Sequence, residues 1–555
     1  MEDKLNKTIK YLAIVFILFN INNLAFSQNV LEGGKITGNF QMDAQYYQKD
    51  SLIGAPEVKE QMLMNAFANI IYTNDNFTAG VRYEIYQNPL LGFDSRYKGS
   101  GIPYRFATYK KDSYEITVGN FYEQFGNGLV FRTYEERNLG YDNAMDGIRI
   151  RVSPFKGVSV KGIWGNQRFF FEKGIGIVRG LDAEVSLNEI CSKFENSKLR
   201  LDFGGSFVSK YQKDEDPVYI LPENVAAYSG RINASYGKFS LNGEYAYKIN
   251  DPSSANNIIY KTGDALYIST SYSTKGLGIL LNGLKVDNMD FRSDRNMTGN
   301  SLLINYLPTL TRQHAYTLSA FYPYATQTTG QIGYQAQVNY KFKKETLLGG
   351  KYGTDFAINY SKVNAIDKKG IDTIPIGKSG TDGYKSDFIS FGKETFFTDF
   401  NVEITKKLSK KLKFILNLAY FEYNKDIIEG HPGEPMVYAN IAIADVSYKL
   451  NNENSLRMEF QHLATKQDKG NWALLLAEYS IAPKWFFTVS DMYNYENKDI
   501  DKRLHYYNAA ITFVKGTTRF AIGYGKQRQG IICVGGVCRQ VPASNGLAVT
   551  ITSSF

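Results

Sequence analysis

A period of two runs through this chain. From Ile36 it reads Ile36, Gly38, Phe40, Met42, Ala44 and Tyr46 on one parity and Thr37, Asn39, Gln41, Asp43, Gln45 and Tyr47 on the other, so a strand here offers one face to lipid and one to water. The pattern returns as Phe239, Leu241, Gly243, Tyr245, Tyr247 against Ser240, Asn242, Glu244, Ala246, Lys248. It returns again as Ile332, Tyr334, Ala336, Val338, Tyr340 against Gln331, Gly333, Gln335, Gln337, Asn339. A soluble sandwich also alternates, but with shorter strands and more Lys and Glu on its outer faces. Beyond the first thirty residues no apolar run reaches the roughly 18 residues of a membrane helix. Yet 41 Tyr and 36 Phe coexist with a mean hydropathy of −0.32. Low hydropathy with many aromatics is the balance of an all-β, antiparallel transmembrane β-barrel, whose strands are apolar on one face only. The aromatics at Tyr46-Tyr47, Tyr245-Tyr247 and Tyr420-Phe421-Tyr423 fit interfacial girdles.

The N-terminus points to export. Lys4, Lys7 and Lys10 precede an apolar stretch from Tyr11 to Phe19, and Leu24-Ala25-Phe26-Ser27 offers small residues for a cut after Ser27. Residues 1–27 therefore read as a cleaved signal peptide, 28–34 as a short periplasmic lead and 35–555 as one barrel. The formal charge is +9, with Lys and Arg scattered rather than blocked, which argues against a nucleic-acid footprint.

Short Gly/Asn/Asp/Lys-rich breaks at 73–76, 110–112, 153–157, 236–238, 273–276, 409–411, 451–454 and 514–516 alternate with longer ones at 50–61, 89–102, 123–146, 214–223, 251–263, 365–395, 426–435 and 529–544. That strict rhythm matches short periplasmic turns and long extracellular loops of an outer-membrane protein. Counting segments gives about 26 strands, range 22 to 28, and the pattern is weakest over Asn300–Arg312 and Phe171–Lys198. The chain ends on an alternating strand, Leu547, Val549, Ile551, closed by Phe555, a terminal aromatic of the kind that barrel-assembly machinery reads. Expected partners are therefore outer-membrane lipid, that machinery, and other outer-membrane or surface proteins.

Over most of its mature length, and most sharply in the run Gly119-Asn120-Phe121-Tyr122-Glu123-Gln124-Phe125-Gly126-Asn127-Gly128-Leu129-Val130-Phe131-Arg132-Thr133-Tyr134-Glu135-Glu136-Arg137, the sequence resembles an uncharacterised family of outer-membrane β-barrel proteins from Bacteroidota. The resemblance implies the location and the fold; it implies no activity.

Chemistry is sparse, and neither an enzyme nor a cofactor is expected. The four histidines, His314, His431, His462 and His505, have no metal-ligand spacing; His462 falls on the lipid-facing parity, and His314 and His505 read as lying near turns. Gly174-Ile175-Gly176-Ile177-Val178-Arg179-Gly180 has one residue too many for a dinucleotide fingerprint and reads as a loop linking two strands. Cys533 and Cys538 flank a Gly-Gly turn in the last outer loop, a spacing that can close a disulfide in an oxidising compartment, while Cys191 stands alone in a periplasmic turn. No plug-sized domain precedes the first strand, which argues against energised uptake of the TonB-dependent kind.

The best functional candidate is the segment 119–151, rich in ions and glycines. If its loop folds inward, Glu123, Arg132, Glu135, Glu136 and Arg137 line a constriction that sorts polar solutes, with Gln331, Gln335, Gln337 and Asn339 on the lumen wall. Some 26 strands enclose a ring roughly 50 Å across, which leaks unless loops such as 123–146 and 365–395 obstruct it or a partner fills it. A porin-like channel and a partner-filled assembly or secretion barrel are thus the two readings.

Overall fold

The computed structural model describes residues 33–534 and 537–555; the expected signal peptide lies outside the described residues. Twenty-four antiparallel strands, from Lys35–Tyr47 to Ser544–Ser554, form one sheet in which the first strand pairs with both the second and the last. Closure satisfies every edge, so no backbone donor row is left to lipid or to another chain. The seam is sealed by the last residue: Gly38 and Phe555 exchange both backbone hydrogen bonds at 3.0 Å. Glycine is required there, because a Cβ on Gly38 would lie 2.5 Å from the Phe555 ring.

At one end of the barrel, here the turn end, connections are mostly tight. Two-residue turns at 75–76, 112–113, 237–238, 275–276 and 516–517 each contain a left-handed residue, such as Asp75 at φ 44° or Gly237 at φ 59°, which matches the twist of paired strands. The opposite, loop end carries the long connections. The alternation is not strict: the loop-end link after Val158–Phe169 has only residues 170 and 171, while the turn-end links 187–198 and 343–353 are long.

The strand number is 24, within the expected range of 22 to 28 and two below the count of about 26; residues 300–312, where the pattern is weak, contribute no strand to the wall. They belong to a segment, 288–329, that runs inside the barrel. Conversely Gly174–Gly180 is not a loop. It lies within the strand Glu172–Ser186, at an irregularity in register between Lys173 and Ile177. The loop 365–394 does not obstruct the ring either. It folds down the outside of the wall, where Tyr384 donates to Asp287 on the outward parity at 2.6 Å. Inside, the matching positions Leu284 and Val286 are already buried against the lumen core.

Along the middle of the strands the outward parity is apolar: Val81, Ile150, Leu181, Leu241, Ile268, Leu281, Leu418 and Val489 are all exposed on the outer surface. No helix among the described residues is long and apolar enough to cross a membrane. The main core is not between two sheets but in the lumen, a single apolar cluster reaching from Phe121 to Met492.

This parity makes two expectations. A lysine at Val489, which is 56% exposed on the outer face, costs about 2–4 kcal/mol in vesicle refolding titrations. Of two single-cysteine variants in the strand His505–Lys515, Asn508→Cys reacts with a water-soluble maleimide and Ile511→Cys does not, since the two residues have opposite parity.

Candidate functional site

The first insert is 122–144. The strand Tyr114–Phe121 stops early, and the chain turns into the lumen with Phe125, Leu129, Val130 and Phe131 fully buried. Each such side chain contributes about 1.5–3 kcal/mol by leaving water, so docking of the insert is strongly favoured. The tip crosses to the strand Phe239–Lys248: Asn127 donates its backbone N–H to Glu244 at 2.6 Å and its side-chain amide to Asn242 at 2.9 Å. Gly126 makes that approach feasible, since a Cβ there would meet the Glu244 carboxylate at 2.5 Å.

All of the candidate constriction charges but Glu136 are engaged in holding this insert. Glu123 accepts from Arg151 at 2.6 Å and lies 3.5 Å from Lys161. The Arg132 guanidinium stacks 4.0 Å from Tyr306 and 4.5 Å from Tyr134. Glu135 pairs with Arg82 and Arg137, both at 2.8 Å, and Arg137 also lies over the Phe67 ring. Glu136 is partly exposed and forms no ion pair among the described residues.

The insert is fastened by a buried ion network. Arg168 on the strand Val158–Phe169 reaches Glu84 at 2.6 Å and Asp142 of the insert at 2.5 Å; Arg82, on the strand Phe77–Asn88, bonds the same two carboxylates. Two arginines alternate with acids, so each buried charge has a partner. Burial alone would raise the Asp142 carboxyl, but the Arg168 and Arg82 guanidiniums more than reverse this and hold it below its ordinary range.

The second insert, 288–329, is the part that the sequence reading lacked. It lies between the strands Leu277–Asp287 and Gly330–Phe342, with Met289, Phe291, Ile304, Leu310 and Leu318 buried. The two inserts are laced by backbone bonds: Arg132 donates to Ile304 at 2.8 Å and Tyr306 to Gly128 at 2.9 Å. Beyond that junction the second insert reaches the far wall. Arg312 meets Glu403 at 2.7 Å, His314 contacts Asp399 at 2.9 Å, Tyr316 donates to Asp445 at 3.2 Å and Leu318 donates its N–H to Gln461 at 3.0 Å. Glu403 is four residues from the turn end of its strand, Thr395–Lys407, so the insert spans most of the barrel height.

Two signals in the sequence mark its path. A Cβ at Gly176 would fall 1.9 Å from the Ser293 carbonyl oxygen, which accounts for the glycine run at 174–180. Asp399, Glu403 and Asp445 put three acids on the lumen parity of two strands separated only by Leu412–Tyr423, where they receive the insert's polar groups. His314 is therefore a lumen residue rather than a turn residue.

Gln331 accepts from Tyr324 of the second insert at 2.5 Å, and Gln335 donates to Asn359 at 2.8 Å. Gln337 donates to Asn339 at 3.3 Å nearer the turn end. On the opposite parity Tyr334 and Tyr340 are exposed, whereas Ile332 is covered by the outer loop with Ile259, Ile366 and Tyr384. His462 contacts Tyr495 at 2.7 Å and His505 contacts Asp491 at 2.6 Å on the outer surface, and His431 is exposed. No cluster of metal-ligating side chains occurs among the described residues.

What the inserts leave uncovered is a crescent of inner wall along the seam. Asn508, Arg519, Ala548 and Asn39 point inward yet are exposed, with the half-buried Ser490, Ala510, Gly523 and Thr550 between them. Its loop end is roofed by 48–61 and 528–543, where Ile53, Ala55 and Ala543 pack together and Lys526 pairs with Asp50 at 2.7 Å. The roof includes the hairpin Gly530–Val534 and Val537–Val541, bridged by a Cys533–Cys538 disulfide.

Removing one charge from the network leaves two buried guanidiniums undercompensated. Asp142→Asn is expected to lower stability by about 3–5 kcal/mol in urea unfolding. Because the folded Asp142 carboxyl titrates below the ordinary value of about 3.9, its contribution is complete at higher pH and disappears as pH falls through the folded value. The gap between native protein and variant therefore holds from neutrality to about pH 5 and closes below it.

Among curated proteins none matches this sequence. Among solved structures the chain is similar to the translocation pore of the P pilus usher PapC, at 10% identity and a TM-score of 0.42, over 94% of this chain and 99% of that one. It is similar to the ferric enterobactin receptor PfeA from Pseudomonas aeruginosa, at 11% and 0.42, over 94% and 80%. It is also similar to the siderophore receptor PirA from Pseudomonas aeruginosa, at 8% and 0.40, over 94% and 80%. Likeness at this level says nothing about cargo, energy source or partners. One family model matches residues 5–555, essentially the whole chain, and the protein belongs to that family, the family of unknown function DUF6029.

Proposed function

We propose that this protein spans an outer membrane after export by its N-terminal signal and serves there as a porin-like channel for polar solutes, held narrow by its own two inserts. The observation that carries this reading is the water-exposed crescent at Asn508, Arg519, Ala548 and Asn39, on a stretch of inner wall along the seam that the inserts leave uncovered. Small side chains and hydroxyls along it leave room for solute, and Arg519 and Asp43, which accepts from Thr550 at 2.7 Å, place fixed charges on it. The apolar outward face supports membrane placement, and Phe555, zipped to the first strand, is the residue that barrel-assembly machinery engages.

A second reading is an assembly or secretion barrel whose lumen or rim holds a partner protein. It is favoured by the direction of the chamber, which is roofed at the loop end and lined by exposed Asn39 and Arg519 toward the turn end, the side from which a periplasmic partner arrives.

Planar-bilayer recording separates the two. The native barrel gives small unitary currents, Arg519→Glu shifts the ion preference toward cations, and replacing 298–312 by a Gly/Ser linker raises conductance several-fold. If the native and linker barrels are both electrically silent although folded, the channel reading fails and the partner-bound scaffold takes its place.

A further inference from the structure

Near the loop end, the outward parity of two adjacent strands carries charge where lipid-facing side chains belong. Asp264, on Gly263–Thr274, and Lys285 and Asp287, on Leu277–Asp287, share the outward rows of Tyr247 and Leu266. Bare ions at that position in a membrane are costly. Yet Lys285 is only 4% and Asp287 only 1% exposed.

What covers them is the loop 365–394. Tyr384 donates to one oxygen of Asp287 at 2.6 Å and Ser386 donates to the other, while Lys285 pairs with Asp264 at 2.5 Å and Lys261 lies 3.5 Å from Asp287. Ile366 and Tyr384 pack on Ile259 and the outward Ile332. The loop descends further: the Phe388 ring lies 5.5 Å from the Lys285 ammonium and 5.9 Å from the ring of Tyr245. Tyr245 is an outward residue three positions below the loop end of its strand, so Phe388 lies beside the wall rather than above the rim.

The outer side of this loop is unlike a water-facing loop. Phe388, Ile389 and Phe391 are 51%, 64% and 55% exposed, and Lys385 and Lys393 bracket them. In water three large adjacent apolar groups are an unfavourable patch; at a headgroup boundary, rings and branched chains sink while lysines reach back to the phosphates.

We propose that 365–394 is an interfacial flap whose Phe388, Ile389 and Phe391 enter the headgroup–acyl boundary of the leaflet at the loop end. Its occupant is lipid, and its inner side seals the Asp264–Lys285–Asp287 cluster from hydrocarbon. The inference depends on the membrane placement proposed above, and its test keeps the two apart.

Nitroxide labels are placed at Ile389→Cys, at the outward wall position Ile511→Cys and at Ile500→Cys, a loop residue 72% exposed, all in a Cys191→Ser background with heat-modifiable gel migration as the check of folding. In lipid vesicles, collision with oxygen relative to a water-soluble nickel chelate is expected to be several-fold higher at 389 and 511 than at 500. A label at 389 that behaves like 500, with 511 in lipid, overturns the flap and leaves the membrane reading intact. Labels at 389 and 511 that both behave like 500 overturn the membrane reading itself. Spin–spin broadening at 389 assigns the patch to a second copy instead and overturns lipid as the occupant. A Phe388→Ser, Ile389→Ser, Phe391→Ser variant supplies an independent readout: trypsin cleaves after Lys385 and Lys393 in the variant and spares them in the native barrel. Equal cleavage of both contradicts the proposal.

Discussion

A ring of 24 strands satisfies its own backbone but encloses more space than its inward side chains can fill. Everything distinctive about this molecule follows from how that space is occupied. Two loop-end segments enter it, share backbone hydrogen bonds with each other and reach the far wall, so the barrel gains the apolar core that a bare ring lacks. Inserted polar groups, backbone and side chain alike, must still be satisfied in a place that little water reaches. The lumen wall provides for this with Glu244, Asp399, Glu403, Asp445 and Gln461, and the inserts supply the complementary Asn127, His314, Arg312, Tyr316 and Leu318 groups.

The same constraint inverts the hydrophobic pattern along individual strands. On Val437–Lys449 the inward residues near the loop end are Val437, Ala439, Ile441 and Ile443, buried against the lumen core, and only then does the face turn polar at Asp445. Asn440 faces outward and is exposed at that same end. Outward Lys285 and Asp287 tell the same story from the other side, tolerated because a loop covers them. The dyad is continuous, but which parity is apolar depends on whether protein, lipid or water stands opposite.

This explains which features were legible in the sequence. Strand periodicity and the tight turns are local and readable from residues such as Ile36 and Asp75, and their persistence along the chain implies the single barrel; for the segment after Phe121 the glycines allowed an inward course without fixing it. The extra strands counted over 300–312 arose because an insert with Ile304, Leu307 and Leu310 resembles a wall strand when only composition is seen. The outer course of 365–394 was not legible, because it depends on Asp287 facing outward, and period-two reasoning assigns ions to the lumen by default. Ion pairing could be anticipated for Glu123, Glu135 and Arg137, and Arg137 does pair locally with Glu135, but Arg151 for Glu123 and Arg82 for Glu135 come from strands of the wall and are fixed only by closure.

The barrel's own chain packs most of its lumen as a hydrogen-bonded core and leaves open only what lies along the uncovered wall. Hydrogen exchange of the reconstituted protein tests this most directly. The amides of Arg132 and Tyr306, which join the two inserts, and of Leu318, bonded to the far wall, are predicted to exchange as slowly as amides in the strands themselves. Exchange of these amides at the rate of an open surface loop, while the wall strands stay protected, would contradict the account and leave a barrel whose lumen is not closed by its own chain.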